Sequence, residues 1–513
     1  MHKEILVDIH PYQTRVALLE NNELSEIYIE RRHKQCLVGN IYKGRVQNIL
    51  PGMQAAFVDI GLEKNAFLYA GDVYVDQSTF EFDGNGKAPP LDKGSIPDIK
   101  ELLRPNQEIM VQVIKEPTGS KGARVTIHVT LPGRLLVLMP TVNYVGVSRR
   151  IEDTEGSERS RLRSLIEDIK PRTMGIIVRT AAVGKDMADF KSEIKFLCRL
   201  WDKIQQKAGG VKAPHLVHLE ESLVFRTIRD IFNADIDRMY INDRDYYEKA
   251  VALSNIVTPW LTQNIRYYDC EEELFDHYGL EAKIDKSLTR KVWLKNGSYL
   301  VFDQTEALTT VDVNTGKFVG NDSLQQTILE TNILAAKEIA KQLKLRDISG
   351  IIIIDFIDME DENHGDQVVE TLREALRGDR TKTNVLGMTS LGLVEMTRRK
   401  IRQRVSDVMQ STCPYCDGVG KVYSEDTVAL RVRKEIIKFA KSRDDHVIVA
   451  HMNLSVVANI LKKRSEDAGF LPSFGGRRVL LVGDEHTHRV QFHIEGAQDA
   501  ESVLQKWPDA MEY

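Results

Sequence analysis

The chain has 513 residues, enough for about three to four domains. Its 42% hydrophobic and 28% charged content is that of an ordinary globular protein, and a net charge of −5 excludes a uniformly basic polyanion binder, so local basic clusters matter more than the average. No apolar run of about 18 residues offers a membrane span, the start Met1-His-Lys-Glu is unlike a signal peptide, and five scattered cysteines make no disulfide framework. The expected location is therefore cytoplasmic.

Residues 4–8, 14–19 and 24–29 read as strands, with Asn21-Asn22 as a turn. They are too few for a domain, so a later part of the chain should complete their sheet. Residues 38–128 hold short strands at 41–49, 55–60, 66–69 and 108–114, punctuated by glycine, which suits a small β-barrel. Phe57 and Phe67 fall on neighbouring strands, with Lys43, Arg45, Lys115, Lys121 and Arg124 near them. Aromatic rings among basic groups suit an OB-type barrel on which single-stranded nucleic acid stacks; the other reading is that both rings are core. Residues 115–122 form a basic loop, and 74–100, rich in Asp, Gly and Pro, read as an inserted loop.

Strands at 135–139 and 175–180 follow. The second delivers Arg179 and Thr180 into a turn of small residues, which fits either a phosphate site or an ordinary surface arginine. Residues 151–170 are a charged loop and helix with a solvated face. An amphipathic helix at 223–232 and a strand at 238–242 come next.

The densest chemistry lies in residues 281–402. A β-rich run at 307–316 carries Asp312 and Asn314 and ends in a glycine turn. A helix follows, with Asp322 or Ser323 able to cap it and an apolar face from Leu324 to Leu343. Then four isoleucines, 351–354, end in Asp355, with Asp358 just beyond. Such a run predicts a strand buried on both faces. Strand, helix, strand is a crossover unit, so the two strands should be parallel, with Asp312 and Asp355 at the same end although 43 residues apart. Two convergent carboxylates beside an amide suit Mg²⁺ and phosphodiester chemistry; acids that cap helices or make surface ion pairs are the alternative. A basic run at 397–404 follows.

Cys413-Pro-Tyr-Cys416 is half of a tetrahedral zinc site or an unmetallated turn. No second such pair exists in the sequence, so a full site needs two ligands from a second copy. Cys36, Cys198 and Cys270 read as small buried hydrophobes. Residues 422–513 read as a small α/β domain without catalytic spacing.

Several longer stretches are more specific. They are Gly39-Asn-Ile-Tyr-Lys-Gly-Arg-Val46, Leu50-Pro-Gly-Met-Gln-Ala-Ala-Phe-Val-Asp-Ile-Gly61, Asp303-Gln-Thr-Glu-Ala-Leu-Thr-Thr-Val-Asp-Val-Asn-Thr-Gly316, Ile354-Asp-Phe-Ile-Asp-Met359, Gly392-Leu-Val-Glu-Met-Thr-Arg398 and the cysteine knuckle. With these the chain closely resembles the ribonuclease E/G family over nearly its whole length. The resemblance implies a multidomain α/β (α+β) fold. Its parts would be an RNase H-like subdomain (1–35 with 216–280), an inserted OB-type S1 β-barrel (36–128), a 5′ sensor (129–215), a DNase I-like catalytic subdomain (281–402), a zinc link (403–421) and a small C-terminal α/β domain (422–513).

It also implies a Mg²⁺-dependent endoribonuclease cutting single-stranded RNA, namely rRNA precursors and mRNA. Asp312 and Asp355 would hold the metal and Asn314 would assist. Phe57, Phe67, Lys115, Lys121 and Arg124 would bind RNA. Arg179, Thr180 and Lys382 would sense a 5′-monophosphate, and Cys413 and Cys416 would share Zn²⁺ between the protomers of a homodimer or higher oligomer. The large E type has an arginine at the position of Lys382, and a lysine lacks the planar fork that pairs bidentately with phosphate. There the sequence is similar to the G type, and no long E-type tail is expected.

Overall fold

In a computed structural model, residues 2–31, 36–74, 97–117, 121–151, 158–316, 324–466 and 469–513 are described. The chain divides into two compact units, Met1–Val408 and Met409–Tyr513. The fold is mixed α/β, and its sheets hold both antiparallel and parallel strand pairs.

The first sheet runs Ile265–Tyr267, Arg238–Ile241, Lys3–Ile9, Gln13–Glu20, Glu23–Arg31. Lys3–Ile9 is parallel to Arg238–Ile241, so the N-terminal hairpins are indeed completed by chain more than 200 residues later. Ile5, Val7, Val16 and Leu18 pack on Val224 and Ile228 of the helix Leu223–Asp230.

Between these segments lies a barrel. Ile41–Leu50 pairs with Ala55–Asp59, which pairs with Ala66–Tyr69, then Arg124–Thr126, then Glu108–Lys115, which returns to Ile41–Leu50. Five strands thus close on themselves, consistent with an OB-type fold. Val46, Ala56, Val58, Ala66, Leu68 and Val111 fill the inside. Next, Val145–Val147, Gly175–Val178, Leu136–Met139 and Leu131–Pro132 form a four-stranded sheet. The helices Glu158–Ile169 and Met187–Gly210 bury Leu162, Ile166, Phe190 and Trp201 with this sheet in one core.

The sheet that matters most has the order Lys291–Trp293, Tyr299–Gln304, Leu308–Asn314, Gly350–Asp355, Leu393–Arg398, Thr383–Met388. Leu308–Asn314 and Gly350–Asp355 are parallel, joined by the helix Leu324–Leu345. One face is sealed. Val311, Val313, Ile352, Ile354, Val394 and Met396 share a core with Ala336, Ile339, Leu343, Val368 and Leu372 of the helices Leu324–Leu345 and Glu362–Leu376. Full burial of an isoleucine contributes about 1.5–3 kcal/mol, so Ile352 and Ile354 hold their strand firmly.

The other face is open, which corrects the two-faced burial expected of the isoleucine run. Ile351 is 50% exposed and Ile353 only half-buried. Helices cover this sheet on one side, so the strand alternates despite its uniform sequence. Asp322 and Ser323, most of 74–100 and the middle of the basic loop lie outside the described residues.

The second unit has the strand order Phe492–Ala497, Val447–Asn453, Arg478–Asp484, Met511–Glu512, with helices Glu425–Ser442 and Leu454–Glu466 against it. No helix among the described residues is long and apolar enough to cross a membrane.

Candidate active site

Asp312 and Asp355 are register partners on adjacent parallel strands. Such strands lie about 4.8 Å apart, and paired residues point to the same face. Here that is the open face, and both acids are exposed. Asn314, two residues along the same strand, donates from Nδ2 to Asp312 Oδ2 at 2.8 Å. Among the described residues neither acid is drawn into an ion pair. Partial burial, with the negative charges of Asp312 and Asp358, pushes the Asp355 carboxyl above its usual range. An uncompensated pair of acids of this kind suits a hard cation, and two carboxylates fit Mg²⁺, which keeps waters for its remaining positions. A cage of three or more protein ligands is absent among the described residues.

A buried amide that the sequence reading missed fixes this end of the sheet. Asn332 of the helix Leu324–Leu345 is fully buried. Its Nδ2 donates to Ile357 O at 2.8 Å, and Ile357 N donates to its Oδ1 at 3.1 Å. Ile357 lies between Asp355 and Asp358, so the helix clamps the turn that carries both acids. The available signal was an asparagine four residues from Ile328 and from Ala336, on the apolar stripe itself.

The basic run after the sheet has a structural task. Arg398 is buried; its Nη1 donates to Asp347 at 2.7 Å and its Nε to Asp379 at 2.8 Å. Arg402 pairs with Asp347 and lies 3.9 Å over the Tyr28 ring. These pairs hold residues 379–381, just before Lys382, which is exposed.

On the barrel, register makes a row. Asn48 pairs with Phe57, Phe57 with Phe67, Phe67 with Arg124, and Arg124 with Lys115. The two rings meet edge to face with centroids 6.1 Å apart, half-buried and outside the cluster that fills the barrel. Lys115 and Lys121 are exposed, while Arg124 is held by Asp72 at 2.7 Å. Lys43 and Arg45 do not join this row. Lys43 donates to the carbonyls of Ala208 and Val211, Arg45 donates to that of Ala213, and both pair with Glu108.

Arg179 is half-buried. Its Nη1 donates to Gly133 O at 2.5 Å and to Asp230 at 2.7 Å. Burial pushes the Asp230 carboxyl up, but Arg179 and Arg229 outweigh it and hold the carboxyl below its usual range. Thr180, itself exposed, opens a 3₁₀ turn, Thr180–Ala182, whose last residue is buried. Arg150 donates to the carbonyls of Asp379 and Arg380, tying this sheet's edge to the segment before Lys382.

In the second unit the knuckle is a tight turn that aims backbone N–H groups at its sulfurs. Gly420 N donates to Cys416 Sγ at 3.3 Å. Backbone N–H groups of Tyr415 and Cys416, with the Cys416 side chain, lower the Cys413 thiol from its ordinary value. Asp417, Gly418 and Gly420 supply the left-handed conformations of this turn. Two thiolates are half of the four ligands zinc takes.

Fold and site define a multidomain α/β protein with a closed OB-type barrel and a pair of strand-end acids on an open sheet face. The ribonuclease E/G family model matches residues 130–401. Ribonuclease G of Escherichia coli K12 is 40% identical over 96% of this chain and 99% of its own length, and that of Haemophilus influenzae is 41% identical over the same shares. Ribonuclease E of E. coli K12 is 33% identical over 94% of this chain, which spans 45% of that relative. The chain belongs to the ribonuclease E/G family.

Proposed function

We propose that the protein is a Mg²⁺-dependent, single-strand-specific endoribonuclease of the G type. As a member of its family it is an endoribonuclease, a hydrolase of RNA phosphodiester bonds. The observation that carries the finer reading is the register pairing of Asp312 with Asp355, with Asn314 bonded to the first.

Asp312 and Asp355 would hold the metal, and Asn314 fixes the rotation of the Asp312 carboxylate. Bound there, Mg²⁺ would supply a Lewis acid for the scissile phosphate and a water of lowered pKa. Hydrolysis by water leaves a 5′-phosphate and a 3′-hydroxyl and needs no attack by the 2′-hydroxyl. Phe57 and Phe67 would stack bases, and Lys115, Lys121 and Arg124 would meet phosphates, so that binding falls with salt. Positioning then carries most of the rate.

A 5′-monophosphate would be read by Arg179, Thr180 and Lys382. Because Asp230 already partners Arg179, and Lys382 is a point charge, this recognition should be loose. Cys413 and Cys416 would share Zn²⁺ with a second protomer, giving a homodimer or higher oligomer. Processing of rRNA 5′ ends and mRNA turnover follow as the cellular role from the family resemblance.

The test is an A/U-rich single-stranded RNA with a 5′-monophosphate, incubated with Mg²⁺ or with EDTA, beside Asp312→Asn. Internal cleavage that needs both Mg²⁺ and Asp312 supports the reading. Protein that binds this RNA and never cuts it would instead be a scaffold.

A further inference from the structure

The open face of the catalytic sheet carries a second cluster beside the acids. It lies on the edge hairpin, Lys291–Trp293 and Tyr299–Gln304. Trp293 is 62% exposed, unusual for so large an apolar group on an edge strand. Its ring centroid lies 5.2 Å from that of Tyr299. The Lys291 ammonium sits between them, 4.0 Å from the Trp293 centroid and 3.4 Å from that of Tyr299.

Register fixes where this cluster faces. Lys291 pairs with Val301, Val301 with Asp312, and Asp312 with Asp355. Trp293 pairs with Tyr299, and Tyr299 with Asn314. Partners in register share a face, so Lys291, Trp293 and Tyr299 stand on the face of Asp312, Asn314 and Asp355. The strand of Trp293 is two steps from that of Asp312, about 10 Å at ordinary sheet spacing. Tyr299 also borders the end of the aspartate strand: a Cβ on Gly316 would lie 3.4 Å from its ring.

We propose that Lys291, Trp293 and Tyr299 form a nucleotide subsite beside the carboxylates, where a base of single-stranded RNA stacks on Trp293 and the adjoining phosphate takes Lys291. The inference rests on the endoribonuclease reading above and adds to it a specific contact near the cleaved bond. Three features favour a polyanionic strand as occupant. The ammonium offers charge that the acid pair lacks, the ring offers a π-face to any base, and the cluster is continuous with the row that holds the acids. The Lys291 ammonium is now held by the two rings and would exchange that contact for a phosphate.

The test is steady-state cleavage of a short single-stranded RNA by the full chain with Mg²⁺, comparing Trp293→Ala, Trp293→Phe, Lys291→Ala and Asp312→Asn. Stacking predicts a KM for Trp293→Ala raised roughly tenfold with kcat little changed, and most of the affinity restored in Trp293→Phe. In an Asp312→Asn background, RNA should quench tryptophan fluorescence, and adding Trp293→Phe should remove part of that quench. If Trp293→Ala binds and cuts like the parent while Asp312→Asn is dead, the subsite is wrong and the nuclease reading stands. If Asp312→Asn cuts like the parent, the nuclease site itself is wrong. If Trp293→Ala leaves RNA affinity intact and instead alters the sedimenting species, the patch is a contact between copies and the proposal falls.

Discussion

Replacing Asn332 by leucine should uncouple the stability of the catalytic sheet from its rate. The substitution keeps the branching and the number of heavy atoms but removes both hydrogen bonds to the Ile357 peptide. Each such bond is worth about 1 kcal/mol net, and each buried group left unpaired costs about 1–3 kcal/mol. Ile357 is only half-buried, so water can relieve part of that cost. A loss of about 2 kcal/mol follows. The rate should fall further than that figure suggests. The freed turn carries Asp355 at one end and Asp358 at the other, and a shift of about 1 Å at a reacting group can cost about a hundredfold.

The control is Leu343→Ala, on the same helix and fully buried. Truncating such a leucine costs about 2–5 kcal/mol, but it touches no acid. Thermal melting and kcat at a temperature where all variants are folded would be measured together. Asn332→Leu should lose kcat by one to two orders of magnitude, while Leu343→Ala melts lower and keeps its kcat. An Asn332→Leu variant with parental kcat would refute the clamp. Equal kcat losses in the two variants would show that rate tracks stability and refute it as well.

Two further outcomes are expected. In metal-free protein at neutral pH, Asp355→Asn should melt slightly above the parent. The Asp355 carboxyl is raised by partial burial, Asp312 and Asp358, so the stability it contributes when protonated is lost as pH rises through its folded pKa. For exposed acids on adjacent strands the screened repulsion is about 0.5 kcal/mol, and the gap between variant and parent should close as pH falls below the ordinary aspartate pKa, to about pH 3. Melting curves at the two pH values with the same gap would contradict this. For the knuckle, a Cys413→Ser and Cys416→Ser double variant should lose its zinc and sediment as a monomer, and a double variant that stays dimeric would remove the shared site.

Much of the frame was legible because local patterns had one physical solution. The crossover from the strand of Asp312 to that of Asp355 had to place both acids at one sheet end, and they are register partners. The N-terminal hairpins were too small to stand alone, and they pair with Arg238–Ile241. What sequence could not tell was which face of a strand is covered. Four isoleucines fit a strand buried on both sides, yet Ile351 is half-exposed because the covering helices lie on one side only. Nor could it tell which positive charges are already engaged. Lys43 and Arg45 read like the basic residues near the barrel aromatics, but both spend their charge on Glu108. Arg398 reads like part of a basic patch and is buried between two aspartates.

The same distinction ranks the cations of the first unit by how much each gains from a phosphate. A cation whose partner is a carboxylate is already compensated and gains less from a phosphate. Arg398, Arg179 and Arg124 are of this kind, bound to Asp347 and Asp379, Asp230 and Asp72. Lys291 is held by two aromatic faces, a contact worth about 0.5–1 kcal/mol at an exposed site and easily exchanged. Affinity for a polyanion should therefore respond more to Lys291 than to Arg124, although both lie in aromatic rows. An RNA-binding isotherm at two salt concentrations separates them. Lys291→Ala should flatten the dependence on salt, whereas Arg124→Ala should act mainly by releasing Asp72, and the reverse ranking would overturn the distinction.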